Sequence, residues 1–136
     1  MIEGNVFVSG ASRGIGKNIA IHFAQNNYKV VGTSRSNFTL GDDLENFTPI
    51  KLDVTSRDDV KNCFNKLKSL DLLPNILINN AGITSDQIFL RMKDEDWDNV
   101  IETNLTGTYN LSKIFIKNMV KNRNGRIINI SSVSGL

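Results

Sequence analysis

The sequence alternates between short apolar runs rich in β-branched residues and longer segments in which apolar residues recur every three or four positions. The short runs predict β-strands, and the longer segments predict amphipathic helices. Strands are expected at residues 5–10, 29–34, 48–55, 76–82 and 126–131. Helices are expected at 14–27, after Ser56, and from about Asp94 to about Lys121. Apolar strands joined by helices predict an α/β fold with a doubly wound parallel sheet and right-handed crossovers.

Polar residues mark the starts of two predicted helices. Ser56 and Asp59 have the spacing of a capping box, in which each side chain binds a backbone N–H of the first turn. The Asp94 side chain is expected to cap the last helix. Asn124-Gly125 is expected to end that helix before the fifth strand.

Composition narrows the class of protein. The 136 residues are 40% hydrophobic and 22% charged, which is ordinary for one soluble domain or part of one. The net charge of +2 is too small to indicate nucleic-acid binding, and no run is long enough for a membrane span. No secretory signal is visible, and the single cysteine, Cys63, excludes an internal disulfide and reads as a core residue. We therefore expect a cytoplasmic protein with no membrane or nucleic-acid partner and no metal site.

A glycine-rich turn, SGASRGIG (9–16), joins the first predicted strand to the first helix. Gly10 allows a tight turn, Gly14 allows the backbone to approach a pyrophosphate, and Gly16 allows the helix to pack closely on the strand. The N–H groups that begin the helix would then face the anion. The alternative is a glycine-rich turn without a ligand, and the strand–turn–helix context favours the dinucleotide site.

The residues near the second strand predict which cofactor binds. No Asp or Glu occurs between Glu3 and Asp42, so the acid that usually holds the ribose 2′-hydroxyl of NAD is missing. Arg13 and Arg35 are placed instead to meet a 2′-phosphate, which favours NADP(H). Two solvated surface arginines are the alternative.

Five motifs indicate a family: SGASRGIG, LDV (52–54), NNAG (79–82), NLTG (104–107) and IINISS (127–132). In their order and spacing the chain resembles the classical short-chain dehydrogenases/reductases, which have a Rossmann-like fold. Residues 79–113 resemble most specifically the members that reduce 3-oxoacyl-[acyl-carrier-protein] in bacterial-type fatty acid synthesis. The likeness extends over nearly the whole chain.

The resemblance implies roles for the matching positions. Those that would wrap the pyrophosphate and the adenosine phosphate are Gly10, Ser12, Arg13, Gly14, Ile15 and Gly16. Asp53 and Val54 would meet the adenine. The segment that would pass along the cofactor ribose is Asn80, Ala81 and Gly82. A helix distortion near Gly107 would free the Asn104 carbonyl to hold a relay water. Ser132 would hydrogen-bond the substrate carbonyl, and Ser131 would point the other way.

Three of the motifs also have a structural interpretation. Asn79-Asn80 before Ala-Gly is compatible with a simple turn. Asp53 is compatible with a cap of the helix that starts near Ser56, and Ser132 with a hydroxyl bonded to backbone. The joint occurrence of five motifs in order favours the functional interpretation.

Tyr109 and Lys113 match the Tyr-x-x-x-Lys pattern from which the family draws its catalytic acid, but they precede the serine strand instead of following it. At roughly 100° per residue they lie about 140° and about 180° from Asn104 on a helix. We therefore predict no catalytic role for them. Lys113, Lys117 and Lys121 form a basic stripe with Arg123 just beyond. The stripe is interpreted as a solvated face or as a docking site for an acidic carrier, with Arg123 the carrier contact that the resemblance implies.

The predicted function is NADPH-dependent reduction of a 3-oxoacyl thioester on acyl carrier protein to the 3-hydroxyacyl thioester, in a protein that the resemblance implies is a homotetramer. Alternatives are a short-chain reductase for acyl-CoA or another small ketone, and an NADP-binding module without catalysis. The sequence ends four residues past Ser132, before the expected Tyr–Lys pair. We therefore expect residues 1–136 to be a Rossmann-like NADP-binding domain truncated after its fifth strand and inactive alone, with Ile128 and Ile130 partly uncovered.

Overall fold

The computed structural model describes residues 4–132 and contains one parallel sheet with helices on both faces. The strands are β1 (Asn5–Val8), β2 (Lys29–Ser34), β3 (Phe47–Lys51), β4 (Ile76–Asn79) and β5 (Arg126–Asn129). The helices are α1 (Gly14–Gln25), α2 (Arg57–Ser69), α3 (Asp94–Ile101) and α4 (Gly107–Lys121), with a short 3-10 helix at Phe89–Arg91 and a π-helical turn at Glu102–Thr106 that joins α3 to α4. The predicted doubly wound α/β fold is confirmed.

The sheet order places a crevice at one edge of the molecule. The strands lie in the order β3-β2-β1-β4-β5, and every pair is parallel. The order reverses between β1 and β4, and in sheets of this kind the crevice beyond the carboxyl ends of the strands at the reversal is where ligands bind. The residues that follow β1 and β4 therefore meet at the position of a candidate site.

Two buried layers hold the helices to the sheet. Phe7 points to the face that α2 and α4 cover, where its ring lies 5.0 Å from the ring of Phe115. Val6 and Val8 point to the opposite face, which packs against Ala20 and Ala24 of α1. This alternation is the two-residue period of a strand that is buried on both faces.

Strand β5 differs from the others because all four of its residues are exposed. Ile127 and Ile128 keep 36% and 44% of their surface accessible, and Ile130, just beyond the strand, keeps 36%. The expected partial exposure of Ile128 and Ile130 is present. Within residues 4–132, no helix is long and apolar enough to cross a membrane.

The N-cap of α2 is the predicted residue, and the N-cap of α3 is not. Ser56 caps α2, because its hydroxyl oxygen accepts a hydrogen bond from the Asp59 N–H at 3.2 Å. The Asp59 carboxylate accepts instead from the Asp53 N–H at 3.4 Å. The prediction that Asp94 caps the last helix is wrong, since Lys93 is the N-cap, without a side-chain hydrogen bond, and Asp94 is the first helical residue. An acid in the first turn still interacts favourably with the helix dipole.

Candidate functional site

A cleft of about 540 Å³ opens at the carboxyl ends of the strands. It is bounded by the turn after β1, the ends of β2 and β3, the loop after β4 and the π-helical turn. Its lining residues are Gly10, Ser12, Arg13, Gly14, Thr33, Ser34, Arg35, Ser36, Leu52, Val54, Asn80, Ala81, Gly82, Ile83 and Thr103. Nine of the predicted cofactor-binding residues are therefore brought together: Gly10, Ser12, Arg13, Gly14, Arg35, Val54, Asn80, Ala81 and Gly82.

The glycine-rich turn has the geometry that its spacing indicated. Gly10 and Gly14 have φ values of +66° and +60°, in the left-handed region that glycine adopts at least cost. A Cβ on Gly14 would have no atom within 4 Å, so the space in front of this turn is open. A Cβ on Gly16 would overlap the Gly10 carbonyl oxygen and the Asn80 Nδ2, so α1 packs on the turn at glycine distance.

Ser9 connects this turn to the loop after β4. The Ser9 hydroxyl oxygen accepts hydrogen bonds from the Asn80 N–H at 3.0 Å and from the Ala81 N–H at 2.9 Å. The Asn80 side chain returns a bond from Nδ2 to the Gly10 carbonyl at 3.0 Å. Ser9 is buried, so these bonds fix one wall of the cleft against the other. Sequence reasoning gave Ser9 no role, although a hydroxyl at the end of an apolar strand was a signal for one.

Three predicted cofactor-binding residues do not line the cleft. Ile15 is 62% exposed on the first turn of α1, and Gly16 is buried against the turn. The Asp53 carboxylate accepts from Thr55, at 2.7 Å from the hydroxyl and 3.0 Å from the N–H. The Thr55 hydroxyl bond lowers the pKa of Asp53, and the Arg35 guanidinium lowers it by a smaller amount. Asp53 therefore closes an Asx turn ahead of the Ser56 cap, instead of capping α2 itself.

The π-helical turn lies beside the cleft. Asn104 makes a pair of bonds to the Ile83 backbone, in which its Oδ1 accepts from the N–H at 2.8 Å and its Nδ2 donates to the carbonyl at 2.9 Å. The Asn104 carbonyl accepts from the Thr108 hydroxyl at 3.0 Å. The Gly107 N–H reaches back to the Glu102 carbonyl, which is the five-residue spacing of a π-turn. The expected helix distortion is thus present immediately before Gly107.

Thr103 was missed by sequence reasoning. It lies in the same turn, is 5% exposed and lines the cleft. Its Oγ1 has no hydrogen-bond partner within residues 4–132.

The buried side chain of Asn79, the last residue of β4, donates from Nδ2 to Asn129 Oδ1 at 2.9 Å and to Ser112 Oγ at 3.2 Å. Asn79 therefore joins β4 to β5 and α4 and is not part of a simple turn.

Ser132 and Ser131 follow β5, are exposed and do not line the cleft. The sheet register places Asn129, at the end of β5, beside Asn79, so the segment that leads to Ser132 leaves the sheet at the same edge as the cleft. The catalytic roles of Ser132 and Asn104 stay predictions.

Tyr109 and Lys113 face a different surface. They line a groove of about 750 Å³ between α2 and α4, together with Lys117 and Lys121 of the basic stripe. Arg123 lies apart from the stripe and lines a hollow of about 350 Å³ beside β5. Among the described residues, no three His, Cys, Asp or Glu side chains are grouped to hold a metal ion. Cys63 is buried as expected, and burial raises the pKa of its thiol to about 11.

The chemistry of the cleft fits a dinucleotide. An open, glycine-lined turn before a helix is a site for a pyrophosphate. Arg13 and Arg35 supply positive charge, and no carboxylate belongs to the lining. Leu52 and Val54 supply an apolar wall, which suits a base.

Comparison with known proteins agrees with this assignment. The short chain dehydrogenase family profile matches residues 4–136. The chain is 42% identical over 142 residues to the 3-oxoacyl-[acyl-carrier-protein] reductase FabG of Vibrio cholerae, and 43% identical over 138 residues to that of Escherichia coli. Each match covers 98% of this chain and 57% of the relative, so the chain spans little more than half the length of these curated relatives.

Solved structures share the fold. A short chain dehydrogenase from Leptospira borgpetersenii with bound NAD⁺ superposes with a TM-score of 0.89 at 28% identity, over 96% of this chain and 52% of that one. A variant of ElxO with NADPH bound also gives a TM-score of 0.89, at 36% identity, over 98% of this chain and 57% of that one. These neighbours hold different nicotinamide cofactors, so the choice between NAD and NADP depends on the residues of the cleft.

Proposed function

Because the chain belongs to the short-chain dehydrogenase family, we propose that it is the cofactor-binding part of an NADPH-dependent reductase. The reductase converts 3-oxoacyl-[acyl-carrier-protein] to 3-hydroxyacyl-[acyl-carrier-protein] in fatty acid biosynthesis. The observation that carries the proposal is the cleft beside Gly14, which has two arginines and no carboxylate in its lining. The identity of 42–43% to FabG reductases supports the substrate class.

The choice of NADP(H) depends on charge. A 2′-phosphate needs positive groups near the end of β2, where Arg35 follows Ser34 in the cleft wall. A carboxylate at this place would favour a free 2′-hydroxyl and would repel the phosphate. Asp53, whose pKa the Arg35 guanidinium lowers, has its carboxylate directed to Thr55. The cleft therefore favours the phosphorylated cofactor.

The residues of this chain have distinct tasks in the proposed reaction. When bound, the nicotinamide supplies the hydride that reduces the 3-oxo group. Ser9 and Asn80 hold the two cleft walls together, and Asn104 holds the loop after β4 through Ile83. Ser132 hydrogen-bonds the substrate carbonyl and so polarises it. Arg123 is the proposed contact to the acidic carrier.

The proposed domain includes more than residues 1–136. Parallel strands are ordinarily covered on both faces, whereas Ile127 and Ile128 are exposed. In the full-length protein, additional elements would cover β5 and supply the acid that works beside Ser132. The protein is proposed to be cytoplasmic and homotetrameric, without a membrane or nucleic-acid partner.

A second candidate function applies to residues 1–136 taken alone, namely NADP binding without catalysis. The observation that favours it is the position of Tyr109 and Lys113, which line the groove between α2 and α4 and not the cleft. A tyrosine with a pKa of about 10 needs a neighbouring cation and the substrate within hydrogen-bond reach to act near neutral pH. Tyr109 cannot meet a substrate in the cleft from that groove.

The experiment compares residues 1–136 with the complete product of the reading frame. NADPH oxidation is followed with acetoacetyl-[acyl-carrier-protein], with acetoacetyl-CoA and with a small ketone. We expect turnover by the complete protein, preference for the carrier-bound substrate, and nucleotide binding without turnover by residues 1–136. Turnover by residues 1–136 that is abolished in Tyr109→Phe would contradict the assignment of Tyr109. Preference of the complete protein for the CoA thioester or the ketone would indicate another short-chain reductase.

A further inference from the structure

The turn between α4 and β5 contains a chemically labile dipeptide. Asn124 precedes Gly125, and no other asparagine among the 136 residues is followed by glycine. Asparagine is thermolabile because the backbone nitrogen of the following residue can attack the side-chain carbonyl carbon. Glycine favours this attack, because it has no Cβ in the way and its backbone is the least restricted. Asn124 is therefore the asparagine of this chain that its sequence neighbour makes most reactive.

Within residues 4–132, neither reacting group of this dipeptide is hydrogen-bonded. Asn124 is exposed, so solvent reaches its side-chain amide. The Gly125 N–H has no acceptor in the described part of the chain, although the N–H groups of Asn124 and Arg126 on either side of it are bonded. No hydrogen bond therefore has to break before the Gly125 nitrogen attacks.

Backbone bonds on both sides hold the dipeptide in place. The Asn124 N–H donates to the Met119 carbonyl at 3.1 Å, which is the outer bond of a Schellman motif at the end of α4. Arg123, one residue earlier, has the left-handed φ of +50° that this motif uses. The Arg126 N–H donates to the Asn75 carbonyl at 2.8 Å where β5 begins. The chain is thus anchored before and after the dipeptide, and the N–H between the anchors stays unbonded in the described structure.

Packing explains why position 125 holds glycine. A Cβ at Gly125 would lie 2.6 Å from Met119 Cβ and 2.7 Å from Met119 Cγ, which is closer than such atoms approach. Met119 is 5% exposed and belongs to the core layer under α4, so it cannot move aside without losing contacts. A larger residue after Asn124 would slow the attack, and Met119 excludes it. The labile dipeptide is therefore a consequence of how α4 packs.

We propose that Asn124 is a site of spontaneous deamidation in the folded protein. The Gly125 nitrogen forms a bond to the Asn124 side-chain carbonyl carbon and loses its proton to a solvent base. The bond from that carbon to Nδ2 breaks, and Nδ2 takes a proton from water and leaves as ammonia. Water then opens the cyclic succinimide at either carbonyl, which gives aspartate or isoaspartate. The reaction needs only water and does not depend on the proposed function.

The two products differ in their effect on the fold. Both place a new carboxylate between Arg123 and Arg126. Isoaspartate also adds one carbon to the backbone between the N–H groups of Asn124 and Arg126, which the Met119 and Asn75 carbonyls hold. The isoaspartate form cannot keep both bonds without a local shift. We therefore expect it to unfold at a lower urea concentration than the unreacted protein, while the aspartate form keeps the backbone unchanged.

The test ages the full-length protein at neutral and at mildly alkaline pH. Proteolytic cleavage after Lys121 releases a peptide that contains Asn124, and mass spectrometry follows the replacement of an amino group by a hydroxyl. The same peptide contains Asn122 and Asn129, which are exposed and precede residues with a Cβ, so they are internal controls. Asn124→Gln is the matched variant, because it keeps an amide but would have to close a larger and slower ring.

The mass change should be confined to Asn124 and should grow with time. Its rate should rise in proportion to hydroxide concentration, because the Gly125 nitrogen attacks after it has lost its proton. In Asn124→Gln the same peptide should stay unmodified over the same period. The isoaspartate fraction of the aged wild type, separated by ion exchange, should have a lower urea midpoint than the unreacted fraction.

Three results would overturn the proposal. Asn124 that stays intact in the folded protein but reacts in the same protein unfolded in guanidinium chloride would show that the fold prevents ring closure. An equal rate at Asn122 would show that the unbonded Gly125 nitrogen does not select the site. An unchanged rate of mass gain in the Asn124→Gln peptide would assign the reaction to another residue.

Discussion

Replacement of Ser9 by alanine should destabilise the protein more than a serine-to-alanine change elsewhere. In Ser9→Ala, the N–H groups of Asn80 and Ala81 lose their common acceptor, now at 3.0 Å and 2.9 Å. A buried donor left without an acceptor costs about 1–3 kcal/mol. Both N–H groups are partly buried, so water would satisfy them in part, and we expect a total loss of about 2–3 kcal/mol. Urea unfolding followed by circular dichroism measures this loss.

The control for Ser9→Ala is Ser69→Ala. The Ser69 hydroxyl donates to the Lys66 carbonyl at 2.7 Å, but this pair is exposed, so water replaces the bond and the change should stay below about 0.5 kcal/mol. Since Asn80 and Ala81 line the cleft, Ser9→Ala should also weaken NADPH binding, while Ser69→Ala should not. An unfolding free energy of Ser9→Ala within about 0.5 kcal/mol of the wild type would refute the role of Ser9 as the link between the cleft walls.

Three further predictions concern charged and titratable residues. Arg35→Ala should weaken NADPH binding about tenfold or more and leave NADH binding unchanged, because a charge-assisted bond to the 2′-phosphate is lost; equal wild-type affinity for the two cofactors would contradict NADP preference. Arg123 has a φ of +50°, which glycine adopts at less cost, so Arg123→Gly should raise the unfolding free energy by about 0.5–1 kcal/mol. The same change should slow reduction of the carrier-bound thioester but not of the free thioester, and equal slowing of both would contradict carrier docking. Burial raises the pKa of Cys63 from about 9 in the unfolded chain to about 11, so the unfolding free energy should fall by up to about 2–3 kcal/mol as pH rises between these values. The fall should be smaller in Cys63→Ala, and identical pH profiles of the two proteins would contradict a role for the thiol.

The secondary structure was largely predictable from the sequence because the fold depends on a repeated pattern. Each buried strand is a run of apolar residues, and Val6, Phe7 and Val8 alternate between the two faces of the sheet. The predicted strand ends extended too far, since β1 stops at Val8 and not at residue 10. The Ser9 N–H still donates to the Ile78 carbonyl of β4 at 3.1 Å. The Ser9 hydroxyl and the Gly10 carbonyl accept instead from Asn80 and Ala81 in the loop after β4, so the chain turns away from the sheet there.

Helix caps were predicted less well, because several polar residues near a helix start compete for the same role. At α2 the spacing of Ser56 and Asp59 identified the cap, and the serine hydroxyl binds as expected. At α3, Asp94 lies inside the helix. Three acidic residues, Asp94, Glu95 and Asp96, follow one another at the start of α3. The pattern alone does not decide where the first helical residue lies relative to them.

The candidate site shows the same division between local and long-range information. Gly10 and Gly14 were predictable because a short turn before a helix requires their backbone freedom, and both line the cleft. Asp53 was assigned to the site from its place in a motif, but the direction of its side chain is set by Thr55, two residues on, so it lies outside the lining.

Ser9 could not be identified from the sequence, because its importance depends on distant partners. The Ser9 hydroxyl binds a backbone 71 and 72 residues away, which lies beside it only because β1 pairs with β4 in the sheet. Residues that present backbone to a ligand leave a local signature, since glycine is required where they lie. Residues that fix one wall of the cleft against another leave none, because serine and threonine are common at strand ends and helix turns. A residue such as Ser9, whose mutation should lower both stability and cofactor affinity, is therefore revealed only by the folded structure.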